Sequence, residues 1–258
     1  MGVGETLDAA IRLYRSAWKT LMLVVAIVMV PFTAIQAFAI NAAQDPYTIG
    51  NRTYVAETGG VTILGFTALG LLVVTPILQG AVVRAVAGVY LGEHPTAGES
   101  LRFALSKSWP LIVGLFLSTL LTILGFVAIV VPGFILYVRY QFVVASIVVE
   151  GRSGTSALGR SWRLTKGAFW RIFWTLLLAG ILAGVANAIL QLPGLIATAN
   201  AGTSGIAWMI QAVFTALAQV ITTPFTATVG VLLYFDARIR TEAFDLSMMA
   251  REVGSPAP

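Results

Sequence analysis

The sequence contains no cysteine and a single histidine, His94. The first absence removes disulfides, thiolate metal sites and cysteine nucleophiles. The second leaves too few imidazoles for most zinc sites or for a Ser-His-Asp triad. Charge is scarce as well: 10% of the 258 residues are Asp, Glu, Lys or Arg, where a soluble domain carries about a quarter. Ordinary globular solubility is excluded. Only Lys19, Lys107 and Lys166 among the 16 cations are lysine, and with abundant Ala, Gly and Val this reads as the composition of a GC-rich bacterial coding bias.

What is present is apolar. Hydrophobic residues make up 58% of the chain, mean hydropathy is +0.88, and runs of about 20 apolar residues recur, the length that crosses a bilayer as a helix. The runs are continuous and do not alternate in polarity, which excludes a β-barrel. Six spans are expected, near 19–40, 61–84, 110–131, 133–149, 169–192 and 206–234. The expected fold class is therefore all-α: a polytopic bundle of six transmembrane helices.

The cations give its orientation. Fourteen of the 16 fall before span one, between spans two and three, between four and five, or after span six. Of the rest, Arg52 lies in an opposite loop and Arg139 inside span four. Lys and Arg accumulate on the cytoplasmic side, so both termini are expected in the cytoplasm of a bacterial cell. The pI of 9.8 then reflects contact with anionic lipid of the plasma membrane rather than nucleic acid.

Inside this frame a repeat is visible. Pro76 precedes Glu93 by 17 residues, while Pro132 precedes Glu150, and Pro224 Glu242, by 18. Ahead of each pair of spans comes an amphipathic segment ending at a tryptophan: Gly4 to Trp18, Gly98 to Trp109 and Gly154 to Trp170. Residues 1–246 thus read as one membrane domain of three units, 4–93, 98–150 and 154–242, related by a pseudo-threefold repeat, with 247–258 a disordered tail. Amphipathic interfacial helices are expected before spans 1, 3 and 5. Leu7, Ile11, Tyr14 and Trp18 form an apolar stripe beside Asp8, Arg12, Arg15 and Lys19. Thr96 and Glu99 have capping-box spacing at the start of the second helix. In the third, Ala157, Leu158, Ser161, Trp162 and Thr165 share a face, with Arg160, Arg163 and Lys166 turned to lipid phosphate or water.

Two blocks carry a resemblance. One runs from Pro132-Gly133-Phe134 through Arg139, Glu150-Gly151 and Ala157-Leu158-Gly159-Arg160-Ser161-Trp162-Arg163 to Phe169-Trp170-Arg171; the other is Leu233-Tyr234-Phe235-Asp236-Ala237-Arg238 and onward to Leu246. In these the chain resembles the membrane domain of glycerophosphoryl diester phosphodiesterases, in the stand-alone actinobacterial form that lacks the catalytic domain. The resemblance implies a membrane module and carries no activity with it. The catalytic His-Arg-Gly start, metal-binding carboxylate pair and second histidine of those enzymes have no counterpart here. His94, in Gly92-Glu93-His94-Pro95, reads as a polar turn residue at the interface.

Arg139 is the most informative single residue. Counted from Pro132, it lies ~10 Å into the hydrocarbon, where an arginine needs a partner. Carbonyls freed by Pro76 or Pro224, the hydroxyls of Thr75, Thr222 and Thr223, the carboxylates of Asp45 and Glu57, and a lipid phosphate are the candidates. With Arg84, Arg160, Arg163, Lys166 and Arg171 it makes up the candidate contact set for anionic lipid or a partner. Pro76, Pro132 and Pro224 are expected to shape the bundle. After span six, Asp236 should face Arg240 and Arg238 face Glu242, forming a stiff extension that pairs with the basic loops. Gly180 and Gly184 form a GxxxG suited to close helix packing, within the bundle or against a second membrane protein or second copy.

No carboxylate lies inside a span, which disfavours a proton-coupled carrier. The expected function is a non-catalytic membrane module, with neither metal nor cofactor, that organises a membrane-protein partner or envelope lipid on the cytoplasmic leaflet. The alternative is a lipid- or amphiphile-handling permease with a cleft near Arg139.

Overall fold

A computed structural model describes residues 2–43, 46–49, 52–55, 58–201 and 206–254. It contains six helices long and apolar enough to cross a membrane: Val3–Ala42, Gly60–Tyr90, Ser108–Ala128, Val130–Glu150, Phe169–Asn200 and Ala207–Glu242. The bundle is all-α as expected. A two-stranded antiparallel hairpin, β1 (Pro46–Ile49) with β2 (Arg52–Val55), joins the first two spans and pairs Tyr47 with Tyr54. Asp45 and Glu57, the carboxylates considered for Arg139, lie outside the described residues.

Helix α1 (Val3–Ala43) comprises two helices that meet at a kink, where Ala17 leaves helical geometry at φ −121°, ψ 17°. The segment ahead of the kink is the expected first amphipathic helix, and the segment after it carries span one. No glycine or proline marks the junction. The second span comprises α2 (Thr58–Leu69), a π-helical turn at Gly70–Val74, and α3 (Thr75–Tyr90). The wide turn stands just ahead of Pro76, which cannot donate to the helical ladder. Thr75 Oγ1 donates to the Gly70 carbonyl there at 2.8 Å.

Helix α4 (Ala97–Ser106) starts as its sequence predicts: Thr96 Oγ1 accepts from Glu99 N at 3.2 Å and Thr96 N donates to Glu99 Oε2 at 2.9 Å. Span three is α5 (Ser108–Ala128). Span four is broken into α6 (Val130–Arg139) and α7 (Val143–Glu150), and Gly151, at φ +66°, takes the left-handed turn that ends α7. Helix α8 (Gly154–Thr165) is the third interfacial element. A Cβ at Gly154 would lie 2.8 Å from Gly114 N and 2.9 Å from the Pro110 carbonyl, so only glycine lets α8 begin this close to α5. Spans five and six are α9 (Phe169–Ala201) and α10 (Ala207–Gly254).

Helix α10 is described as far as Gly254, inside the segment 247–258 expected as a tail. Met248, Met249, Ala250, Arg251 and Glu252 are good helix formers and nothing interrupts them; residues 255–258 lie outside the described residues.

The core gathers at the basic end of the bundle. Leu21, Val25, Val86, Leu111, Phe142, Ile147, Leu164, Ile172 and Tyr234 are fully buried there, contributed by every span and by α8. Toward the opposite end Phe38, Leu64, Val127, Val131, Ile196 and Ile206 are exposed. That is the distribution expected of helices whose outer surface meets lipid rather than water.

Candidate functional site

The charged groups of the two resemblance blocks meet at the end of span four. Glu150, the last residue of α7, has 10% of its side-chain surface exposed and takes three donors: Arg152 Nε at 2.6 Å, Arg160 Nε at 2.8 Å and the Tyr234 hydroxyl at 2.7 Å. Arg160 also reaches across from α8 to α10, donating to Glu242 at 2.7 Å, where Arg238 completes the cluster at 2.9 Å. Burial works against the Arg160 charge, but its hydrogen bonds to Glu150 and Glu242 prevail and raise its pKa. Beside it Asp236 pairs with Arg171 at 2.7 Å and with Arg240 at 3.2 Å. The pairs Asp236–Arg240 and Arg238–Glu242 are those that four-residue helical spacing predicts. Tyr234 is itself fully buried, packed edge-on against Phe142 with centroids 5.9 Å apart.

Ser161, on the inward face of α8, holds the break in span four. Its hydroxyl donates to the Arg139 carbonyl at 2.6 Å and accepts from Phe142 N at 3.1 Å. Residues 140–142 are the interruption, so one side chain occupies the backbone acceptor just before it and the backbone donor of its last residue.

Arg139 therefore ends a helix instead of sitting within one, and among the described residues none of its expected protein partners bonds to it. Its Nη1 makes long contacts of 3.4 Å to the Trp162 carbonyl and to Thr165 Oγ1. The guanidinium lies 4.8 Å from the Trp162 ring centroid and 5.8 Å from that of Phe169. Its Nε is buried without a hydrogen-bond partner among the described residues. The reason is the break, which turns Arg139 toward α8. Thr75 bonds Gly70, Thr222 bonds Ala218 and Thr223 bonds the Gln219 side chain, so these hydroxyls serve their own helices. Near Pro224 it is Tyr14 that donates to a backbone carbonyl, that of Ile221, at 3.1 Å.

The six cations of the expected contact set thus divide. Arg84 pairs with Glu93 at 3.2 Å and stacks on Phe103; Arg160 and Arg171 are held by carboxylates. Arg163 and Lys166 are exposed near the end of α8 and have no ion-pair partner among the described residues. Exposed Trp162 and Trp170 flank them. The proline residues stand where the sequence places them: Pro76 after the π-turn, Pro132 in the first turn of α6, Pro224 inside α10. Gly180 and Gly184 face outward, with no atom within 4 Å of a Cβ built at either, while Ala179 and Ala183 turn inward.

What the sequence reading missed is Glu150 as the centre of a network, Tyr234 as its donor and Ser161 as a clamp. Glu150 was visible as a repeat marker and Ser161 as one residue of an inward stripe, but their partners lie far away in the chain.

The geometry defines a six-span helical membrane protein whose basic end is fastened by ion pairs among α7, α8, α9 and α10. The chain belongs to the family described as Domain of unknown function (DUF7847), which matches residues 16–237. No curated protein and no solved structure matches it.

Proposed function

We propose that this chain is a non-catalytic membrane module of the bacterial plasma membrane that gathers anionic lipid at its basic, cytoplasmic end. The observation that carries the reading is the division of the cations. Carboxylates hold Arg84, Arg160 and Arg171, which makes them structural, while Arg163 and Lys166 stand exposed between Trp162 and Trp170. Tryptophans at headgroup level, beside cations with no ion-pair partner among the described residues, form a surface suited to lipid phosphate. The clamped network keeps α8 in place, so this surface is preset; a membrane partner drawn to the same lipid would meet a rigid edge. The module reading is favoured over a permease because the Arg139 guanidinium is engaged by the Trp162 and Phe169 rings. Kinship with the membrane domain of glycerophosphoryl diester phosphodiesterases belongs to this proposal. It is supported by the two resemblance blocks, whose charged residues bond to one another.

The test is lipid composition. Full-length protein in nanodiscs of equal phosphatidylglycerol and phosphatidylcholine should, on release into the mass spectrometer, carry severalfold more of the anionic lipid. Arg163→Gln with Lys166→Gln should reduce that enrichment by more than half. Equal retention of both lipids by the unaltered chain would refute the reading.

A further inference from the structure

The bend in α1 opens a second feature, remote from α8. Around Ala17 a cleft of about 600 Å³ lies between α1, the end of α3 and the segment leading into α4. Its polar lining includes Lys19, Thr20 and His94, none of which has a hydrogen-bond or ion-pair partner among the described residues; Lys19 meets only the Trp18 ring, 5.8 Å away. Among the described residues no carboxylate lines it. The two nearest along the chain are engaged elsewhere, Glu93 by Arg84 at 3.2 Å and Glu99 by Thr96 N at 2.9 Å. An ammonium, a hydroxyl and an imidazole thus line one cleft with no anion among the described residues bound to them.

We propose that this cleft binds the phosphate-bearing headgroup of one anionic phospholipid. The apolar part of its wall decides between a lipid and a soluble phosphate. Leu23 and Val89 line the cleft, and Leu23 begins a stripe down span one, Leu23, Ile27 and Val30, exposed by 53%, 48% and 47%. A headgroup seated on Lys19 directs its acyl chains along that stripe, which a free phosphate cannot use. The site goes beyond the reading of α8: it is one discrete lipid held by α1, α3 and α4, not a general enrichment along an edge.

The experiment uses the full chain in the same mixed nanodiscs, with native mass spectra recorded at rising collision energy to find the last lipid retained. One phosphatidylglycerol per chain should survive after the others are stripped. Lys19→Gln with His94→Gln should lower that retained fraction about tenfold, the effect of losing charge-assisted hydrogen bonds. Thr20→Phe, which fills the cleft and leaves Lys19 and His94 in place, should expel the same lipid. Arg163→Gln with Lys166→Gln should lower the general enrichment and spare the single lipid, which separates failure of this site from failure of the α8 reading. Absence of a last retained phosphatidylglycerol on the unaltered chain overturns the proposal, as does its retention by either cleft variant with an unchanged melting temperature. Displacement of that lipid by millimolar inorganic phosphate would assign the cleft to a soluble anion instead and overturn it equally.

Discussion

At the scale of residues, the basic end is held by groups that satisfy more than one partner. Ser161 occupies the Arg139 carbonyl and the Phe142 N–H together. Ser161→Ala would leave both without their partner in a buried setting, and a loss of about 2–3 kcal/mol is expected, read as a lower denaturation midpoint in detergent. Ser161→Thr, which keeps the hydroxyl, should lose less. Glu150→Gln leaves Arg160, whose side chain is 14% exposed, with one carboxylate instead of two; about 3 kcal/mol should be lost. Replacing Glu150 and Arg160 together by leucine should recover much of it, since no buried charge is then left unpaired. By contrast Glu93→Gln should cost less than about 1 kcal/mol, because the Glu93 side chain is 50% exposed and water screens its pair with Arg84. A reader of the sequence could place Asp236 opposite Arg240 from their spacing. Tyr234 on Glu150 and Arg160 on Glu242 join positions 84 and 82 residues apart, and no local rule reports them.

Among the elements, the legible ones are those whose ends are written in side chains. The capping box at Thr96 and Glu99 fixes the start of α4, and Thr96→Ala should cost about 1 kcal/mol. Glu99 carries a pH signature: the Thr96 N–H and hydroxyl bonds hold its carboxyl below the ordinary carboxylate range. A group whose pKa is lowered by folding stabilises above its unfolded pKa and loses that contribution as the pH falls through the folded value. Thermal melts should therefore show an acid-sensitive component that Glu99→Gln removes, and no change of that component on this substitution would argue against the cap. The first interfacial helix was legible in its stripe of Leu7, Ile11, Tyr14 and Trp18, and it meets span one at the Ala17 kink. The break in span four has neither glycine nor proline at residues 140–142; it is sustained by Ser161 from α8 and so belongs to tertiary packing.

For the molecule as a whole, composition and continuous apolar runs were enough to define six helical spans, because hydrocarbon demands that every backbone group be paired within its own segment. The three-unit organisation is a proposal that gains support from the glutamates closing each unit, Glu93, Glu150 and Glu242, each of which takes an arginine. Both lipid proposals depend on which way the bundle faces, for the basic end can meet anionic lipid as described only in the cytoplasmic leaflet. The chain has no native cysteine, so an introduced thiol reports alone. Thr155→Cys, at the start of α8, and Asn200→Cys, near the end of α9, are the decisive pair, probed with a membrane-impermeant maleimide in intact cells. Position 200 should label at once and position 155 only after lysis, whereas labelling at 155 in intact cells, with 200 protected, would place the basic end outside and contradict the account.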